Sequence, residues 1–373
     1  MRRKPRVLFI LSEILGHKTF AQQLCDCMSR LDAVDYDTLS FDNNDYSVFR
    51  SWNKYNLWKN KFESAYALRE KLQRVDIDKY EALFILGFEF IYGLKEIVRR
   101  KKTILCTDTT DIQSHALVRR TDTSSLAAVK CYAKDLITSR IYKSIISQIA
   151  VFSPMSECCA QSLRDDYNVS DKRIVVIRGG LDLTRWTPAK TTRLDRRNPI
   201  RLLFVGNDLR RKGGFFLLEA FRKSLREKCS LTIVTNDPIA SSLKPPKGVS
   251  IVAGITHQQI GKLISLYQNN DLFVLPTSND KLGHVFKEAA ASGLAIVSHN
   301  IAAIKEMVIN NYNGYLLEPG ASMESWISII EGFERDREKL TTFCANSRIL
   351  AERHFGIDRM LSDLSHAVEL LEL

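Results

Sequence analysis

No stretch of this 373-residue sequence approaches the roughly 18 consecutive apolar residues that a membrane-spanning helix needs. Its basic start, residues 1–6, leads into an apolar run that Ser12 and Glu13 soon break, so it reads as the approach to a first strand rather than a secretion signal. The eight cysteines include no Cys-x-x-Cys pair and are too sparse to staple a chain of this length. Neither a disulfide scaffold nor a structural zinc is expected, and reduced thiols point to the cytoplasm. Also missing are a G-x-x-x-x-G-K-[ST] phosphate loop, a His-Glu-x-x-His pair and a Gly-x-Ser-x-Gly elbow. No Gly-x-Gly-x-x-Gly opens the first helix, whose leading loop offers only Gly16. The triplets Asp35-Tyr36-Asp37 and Asp76-Ile77-Asp78 sit where chain turns into strand and read as solvated turn acids, not as metal ligands.

What is present is an ordinary globular balance, 45% apolar and 26% charged, which excludes wholesale disorder. The net charge of +11 is spread over both halves of the chain, so nucleic acid is not an expected partner. Short β-branched runs alternate with longer amphipathic ones, the pattern of parallel strands joined by crossover helices. Strands are expected at 7–11, 38–41, 83–86, 103–106, 149–152 and 174–177, then at 200–205, 231–234, 249–252, 272–275, 295–298 and 315–317. Helices are expected at 19–31, 94–102 and 154–167, and over most of the last fifty residues, at 323–331, 337–354 and 359–371. The polar segment 184–199, with a proline near each end, reads as a linker. The organisation expected is therefore domain 1–183, linker 184–199, domain 200–354, and a C-terminal helix within 355–373 crossing back to the first domain.

Two stretches carry chemistry. In RLLFVGNDLRRKGGFFLLEAF a strand ends at Gly206, and a loop bearing Arg210, Arg211 and Lys212 leads to Gly213-Gly214 at a helix start. Cationic side chains beside helix-terminal N–H groups suit a phosphate, although a solvated basic turn has the same look. In LFVLPTSNDKLGHVFKEAAASG a strand ends at Pro276, a loop carries Asp280 and Gly283, and a helix begins near Val285. Amides around Leu282, Gly283 and His284 suit a diphosphate, and Glu288 suits the vicinal hydroxyls of a ribose. Without a ligand Asp280 reads equally as a turn or capping acid, and Glu288 as a first-turn partner of the helix dipole.

Together these stretches resemble the nucleotide-sugar domain of the GT-B glycosyltransferases, specifically the retaining glycosyltransferase family 4. The similarity runs over nearly the whole chain and includes VVIRGGLDLTRW at the domain crossing. It implies two Rossmann-like, doubly wound α/β domains facing each other across a cleft. It also implies metal-independent transfer of a hexose from a UDP-, GDP- or ADP-type sugar nucleotide, with no cofactor. The acceptor is a hydroxyl of a glycan, a lipid-linked or a small-molecule compound, as in polysaccharide or glycolipid biosynthesis. By the resemblance Lys212 and Arg211 hold the leaving diphosphate, Asp280 touches the donor sugar and Glu288 the ribose. Gly16, Gly206, Leu282, Gly283, His284 and Val285 complete the donor contacts. His17 and the Asp108-Thr109-Thr110 run mark the acceptor region, Asp108 orienting the acceptor hydroxyl or receiving its proton, or else only capping the next segment. His115 is expected at the surface.

The chain departs from the family pattern at Asp280, where Glu is usual, and at Asn207, where Arg is frequent. It departs again at Ala302-Ala303 and Thr235-Asn236-Asp237, where glycines are common. A catalytically silent sugar-nucleotide or glycan-binding module is the alternative. Peripheral contact with an anionic membrane at its inner face rests on RSWNKYNLWKNKF, with Trp52, Tyr55 and Trp58, and on a second basic set, Arg119, Arg120, Lys130, Lys134, Arg140 and Lys143. The spacing of three between those aromatics suits a core-facing stripe equally well.

Overall fold

A computed structural model describes residues 3–13, 16–42, 57–121, 142–189 and 199–373. Trp52 and Tyr55 lie outside the described residues, as do Lys130, Lys134, Arg140 and the side chains of Trp58, Arg119 and Arg120. The chain divides into two compact units: Met1–Gly180 with Ile357–Leu373, and Leu181–Gly356.

The first unit is built on a parallel sheet of β1 (Arg6–Ser12), β2 (Asp35–Phe41), β3 (Ala82–Leu86), β4 (Lys102–Thr107) and β5 (Val151–Pro154). Their order is β2-β1-β3-β4-β5. Every residue of β3, ALFIL, is buried, as a central parallel strand covered on both faces requires. The segment 174–177 does not become a sixth strand. The Val175 N–H donates to the Phe152 carbonyl and the Ile177 N–H to that of Pro154. The rung between them would need an N–H from Pro154, which proline lacks, so the ladder stops at one bridge, Phe152 to Ile174. The expected helix 94–102 is a single turn, Ile97–Arg100, because β4 takes the chain from Lys102. Asp37 accepts the Tyr80 hydroxyl (2.9 Å) and Asp78 pairs with Arg100 (2.9 Å), so acids of both Asp-x-Asp triplets are engaged structurally.

The second unit carries β6 (Ile200–Val205), β7 (Cys229–Val234), β8 (Val249–Val252), β9 (Leu272–Leu275), β10 (Ala295–His299) and β11 (Gly314–Leu317). These strands lie parallel in the order β11-β10-β9-β6-β7-β8. Residues 184–188, read from the sequence as linker, lie within this unit. Trp186 is buried with its ring edge-on to Tyr267 at 5.5 Å, and its carbonyl accepts an Arg348 N–H.

In open parallel sheets, ligands bind outside the carboxyl ends of strands where the winding direction reverses. That point lies between β1 and β3 in the first unit and between β6 and β9 in the second. Among the described residues no helix is long and apolar enough to cross a membrane.

Candidate functional site

In the second unit, the loops after β6 and β9 meet at the reversal point. Gly213 makes this approach feasible. It sits at φ 79°, and a Cβ there would fall 2.2 Å from the Pro276 carbonyl oxygen. The Arg211 carbonyl accepts the Ser278 N–H at 3.1 Å, which stitches the loops together. The Arg211 side chain donates to Asp208 (3.0 Å) and to the Asn279 carbonyl (2.7 Å). Lys212 crosses to form an ion pair with Asp280, both side chains about one-eighth exposed. Gly206 lies beside this lysine, where a Cβ would press its stem. Arg210 is exposed, with its guanidinium 5.8 Å from the Phe215 ring centre. The structure thus brings Arg211, Lys212 and Asp280 together, 68 residues apart in sequence in the last pair.

Beyond Asp280, Leu282 is buried, and Gly283 at φ 66° caps the helix His284–Ala291 without a side-chain hydrogen bond. The cap residue thus brings no side chain between the start of this helix and a ligand. One turn in, Glu288 is 8% exposed and accepts the Tyr267 hydroxyl at Oε2 (2.8 Å). Burial raises its carboxyl to about 7, against the Tyr267 hydrogen bond that lowers it. Tyr267 had no signal of its own in the sequence, because it reads as one more apolar position of the helix Ile260–Gln268.

The departures from the family pattern have structural uses. Asn207 Oδ1 accepts the Asn236 N–H (2.9 Å), and Asn236 Oδ1 accepts that of Gly254 (2.8 Å). Asp237 accepts the Leu209 N–H of the basic loop at 2.9 Å. Side chains thus lace the loops that leave β6, β7 and β8. Ala302, where the family often has glycine, holds φ 42°, a strained value for a residue with a Cβ.

The first unit carries a different cluster at its own reversal point. Gly16 opens the helix Gly16–Met28 after β1, and His17 follows it. Its imidazole lies between Glu89 (Nδ1 to Oε1, 3.6 Å) and Asp108 (Nε2 to Oδ1, 3.4 Å). Glu89 also accepts the Ser12 hydroxyl at 2.9 Å. Burial by itself would push the imidazole down, but Glu89 and then Asp108 outweigh it and raise it to about 10. For Glu89, burial acts upward, yet His17 and Ser12 leave its carboxyl below the usual range. Among the described residues, His17 is therefore held as an imidazolium facing the carboxyl groups of Glu89 and Asp108.

Glu89 was missed in the sequence. The signal was an acid among aromatics, Phe88-Glu89-Phe90, directly after a core strand and Gly87. Gly87 at φ 130° leaves room for the carboxylate to fold back, since a Cβ there would come 2.6 Å from Glu89 Oε1. Thr109 and Thr110 are buried. The Thr110 hydroxyl is shared with Ser162 (2.7 Å), and that of Thr109 lies 3.2 Å from the Thr110 carbonyl. His115 is buried rather than at the surface, because it faces inward from the helix Asp111–Thr121.

Residues 190–349 match the family model described as Glycosyl transferases group 1. D-inositol 3-phosphate glycosyltransferase of Geodermatophilus obscurus is 27% identical over 220 residues, which is 53% of this chain and 46% of that protein. The chain spans about half the length of the curated relatives it matches. Among solved structures, sucrose-phosphate synthase from Thermosynechococcus elongatus superposes with a TM-score of 0.75 at 15% identity, covering 99% of both chains. Anabaena HepE, in complex with UDP and glucose, superposes with a TM-score of 0.69 at 13% identity, covering 98% of this chain and 99% of that one. The chain therefore has the GT-B glycosyltransferase fold, and its residues 190–349 are similar to the group 1 glycosyl transferases.

Proposed function

We propose that the protein is a retaining, metal-independent hexosyltransferase that moves a sugar from a nucleotide-diphosphate sugar to an acceptor hydroxyl. The observation that carries this is the convergence at one reversal point of Lys212, Arg211, the glycine-capped start of the helix His284–Ala291, and Glu288. A leaving diphosphate carries negative charge that grows as the glycosidic bond breaks. Cations and oriented amides already in place stabilise it without reorganising. Lys212 is held by Asp280 in the free protein and turns to the diphosphate when the donor binds, leaving Asp280 for the sugar hydroxyls.

Asp108 receives the acceptor hydroxyl as a hydrogen bond. His17 is not the base, because a ring already carrying both protons between two carboxylates has no lone pair to offer. In a same-face reaction the departing phosphate oxygen takes the acceptor proton instead. The acceptor class is a glycan, a lipid-linked compound or a small polyol, and the work is done at the cytoplasmic side of a membrane or free of it.

The experiment is release of nucleoside diphosphate from UDP-, GDP- and ADP-sugars, with and without added acceptors. UDP-glucose comes first, because HepE is known in complex with it. Acceptor-dependent release with one base class is expected. Tight binding with no release for any pair would instead leave a silent sugar-nucleotide-binding module.

A further inference from the structure

Glu288 is nine-tenths buried, yet only half of its carboxylate is engaged. Oε2 accepts the Tyr267 hydroxyl at 2.8 Å, while Oε1 has no hydrogen-bond or ion-pair partner among the described residues. Oε1 is not among the fully buried atoms, so it is an open acceptor that a ligand can reach. The tyrosine that takes the other oxygen is itself immobile. Its ring is fully buried, edge-on to Trp186 at 5.5 Å and near-parallel to Phe273 at 6.0 Å. The same hydroxyl lies 3.4 Å from the Val285 carbonyl, so it also touches the first turn of the helix that carries Glu288. A phenylalanine would fill the ring's place as well, so the hydroxyl is what needs explaining.

We propose that Tyr267 is a positioning residue for nucleotide recognition: it clamps Oε2 of Glu288 so that Oε1 is presented in one fixed direction to the vicinal hydroxyls of the donor ribose. The proposal rests on the donor-site reading above and adds to it a residue from a separate helix. A clamp of this kind removes the rotation a carboxylate would otherwise lose on binding, so its value appears in affinity for the nucleotide.

The clamp also has a signature that a packing role lacks. Ribose hydroxyls donate best to an ionised carboxylate. Burial pushes Glu288 up to about 7, and the Tyr267 bond opposes that rise. Tyr267 is pushed well above its ordinary value by burial and by Glu288, so it stays a neutral donor through the working range. On the carboxylate's own helix, Lys287 lies over the Phe355 ring at 5.9 Å, and among the described residues no ion pair reaches Glu288 from the elements packed on it. Loss of the hydroxyl therefore moves the Glu288 titration upward.

The test is calorimetric titration of the full chain with UDP, GDP and ADP between pH 6 and 8.5. The wild-type protein is expected to bind one of them, weakening by up to about tenfold per pH unit below 7. Y267F is expected to bind about tenfold more weakly at pH 8, with its pH profile displaced upward and its thermal unfolding nearly unchanged. E288Q loses the dependence that belongs to this carboxyl. The nucleotide's own phosphate titration is common to all variants and cancels in their ratio. In the E288Q background Y267F costs nothing further. A Y267F protein with wild-type affinity and profile overturns the proposal, as does an equal loss in the E288Q background. Should Y267F unfold, 3-fluorotyrosine at position 267, a stronger donor, is expected to move the profile to lower pH, and an unmoved profile overturns the clamp. Wild-type protein that binds none of the three nucleotides overturns the donor-site reading itself, and the clamp with it.

Discussion

The two sheets carry charged clusters at equivalent places, the carboxyl ends of the strands where winding reverses, and among the described residues acids outnumber bases in the first and bases outnumber acids in the second. In the first unit one imidazolium is enclosed by two carboxylates, Glu89 and Asp108. In the second, Arg211 pairs with Asp208 and Lys212 with Asp280, Arg210 is exposed, and a helix start capped by a glycine adds partial positive charge. The fold supplies the position and the side chains the chemistry: under the proposed function, hydroxyl donors belong with the first cluster and anions with the second. That contrast is a matter of charge arithmetic and is open to attack one residue at a time.

The largest effect belongs to Lys212. Lys212→Ala is expected to lower turnover by about 100-fold or more, roughly 3 kcal/mol for one charged transition-state donor, with the fold kept. Wild-type-like rates in the folded variant would remove the phosphate role from the second cluster. Asp280→Ala comes next. It is expected to lose at least about tenfold in transfer while keeping or slightly tightening affinity for nucleoside diphosphate, because Lys212 is then released from its ion pair. Equal loss of transfer and nucleotide affinity would mean that the loop itself has collapsed.

The first cluster is sharpened by pH. The folded value of His17 stands at about 10, above its ordinary 6.5, so its contribution to stability is fully present below about pH 6.5 and is lost as pH rises through about 10. Glu89→Gln removes the carboxylate that raises His17 more strongly, so that loss is expected to fall at lower pH. Thermal unfolding followed from pH 6 to 10 reads the difference between the two proteins, and coincident curves would dissolve the cluster. The smallest effect is Ala302→Gly, which relieves φ 42° at the cost of a more flexible unfolded chain. A gain of about 0.5 kcal/mol is expected, visible as a rise of one or two degrees in Tm.

The fold was legible wherever burial imposed a pattern. Leu272–Leu275 is a short apolar run, buried throughout and bounded by loop residues, and the sequence marks both its ends. The segment 174–177 has the same composition but lies beside Pro154, and the missing N–H belongs to another strand, invisible from within the run. In the second unit, Lys212, Asp280 and Glu288 follow from loop chemistry and an eight-residue interval, both local. Tyr267 and Glu89 do not. Tyr267 acts on a carboxylate 21 residues on, and Glu89 on an imidazole from a different strand's loop. Juxtapositions of that kind have no period to read. The hydroxyls of Thr109 and Thr110 likewise have partners, the Thr110 carbonyl and Ser162, and the one from Ser162 comes from a distant helix that no local pattern marks.

The most direct measurement sets the two clusters against each other. Nucleoside diphosphate affinity by calorimetry and sugar transfer by product release are compared in wild-type protein, Asp108→Asn and Lys212→Ala. Opposite ligand chemistry predicts that Asp108→Asn binds the nucleotide with wild-type affinity yet loses transfer, whereas Lys212→Ala weakens both. If Asp108→Asn weakens the nucleotide as much as Lys212→Ala does, the division of labour between the two sheets is wrong.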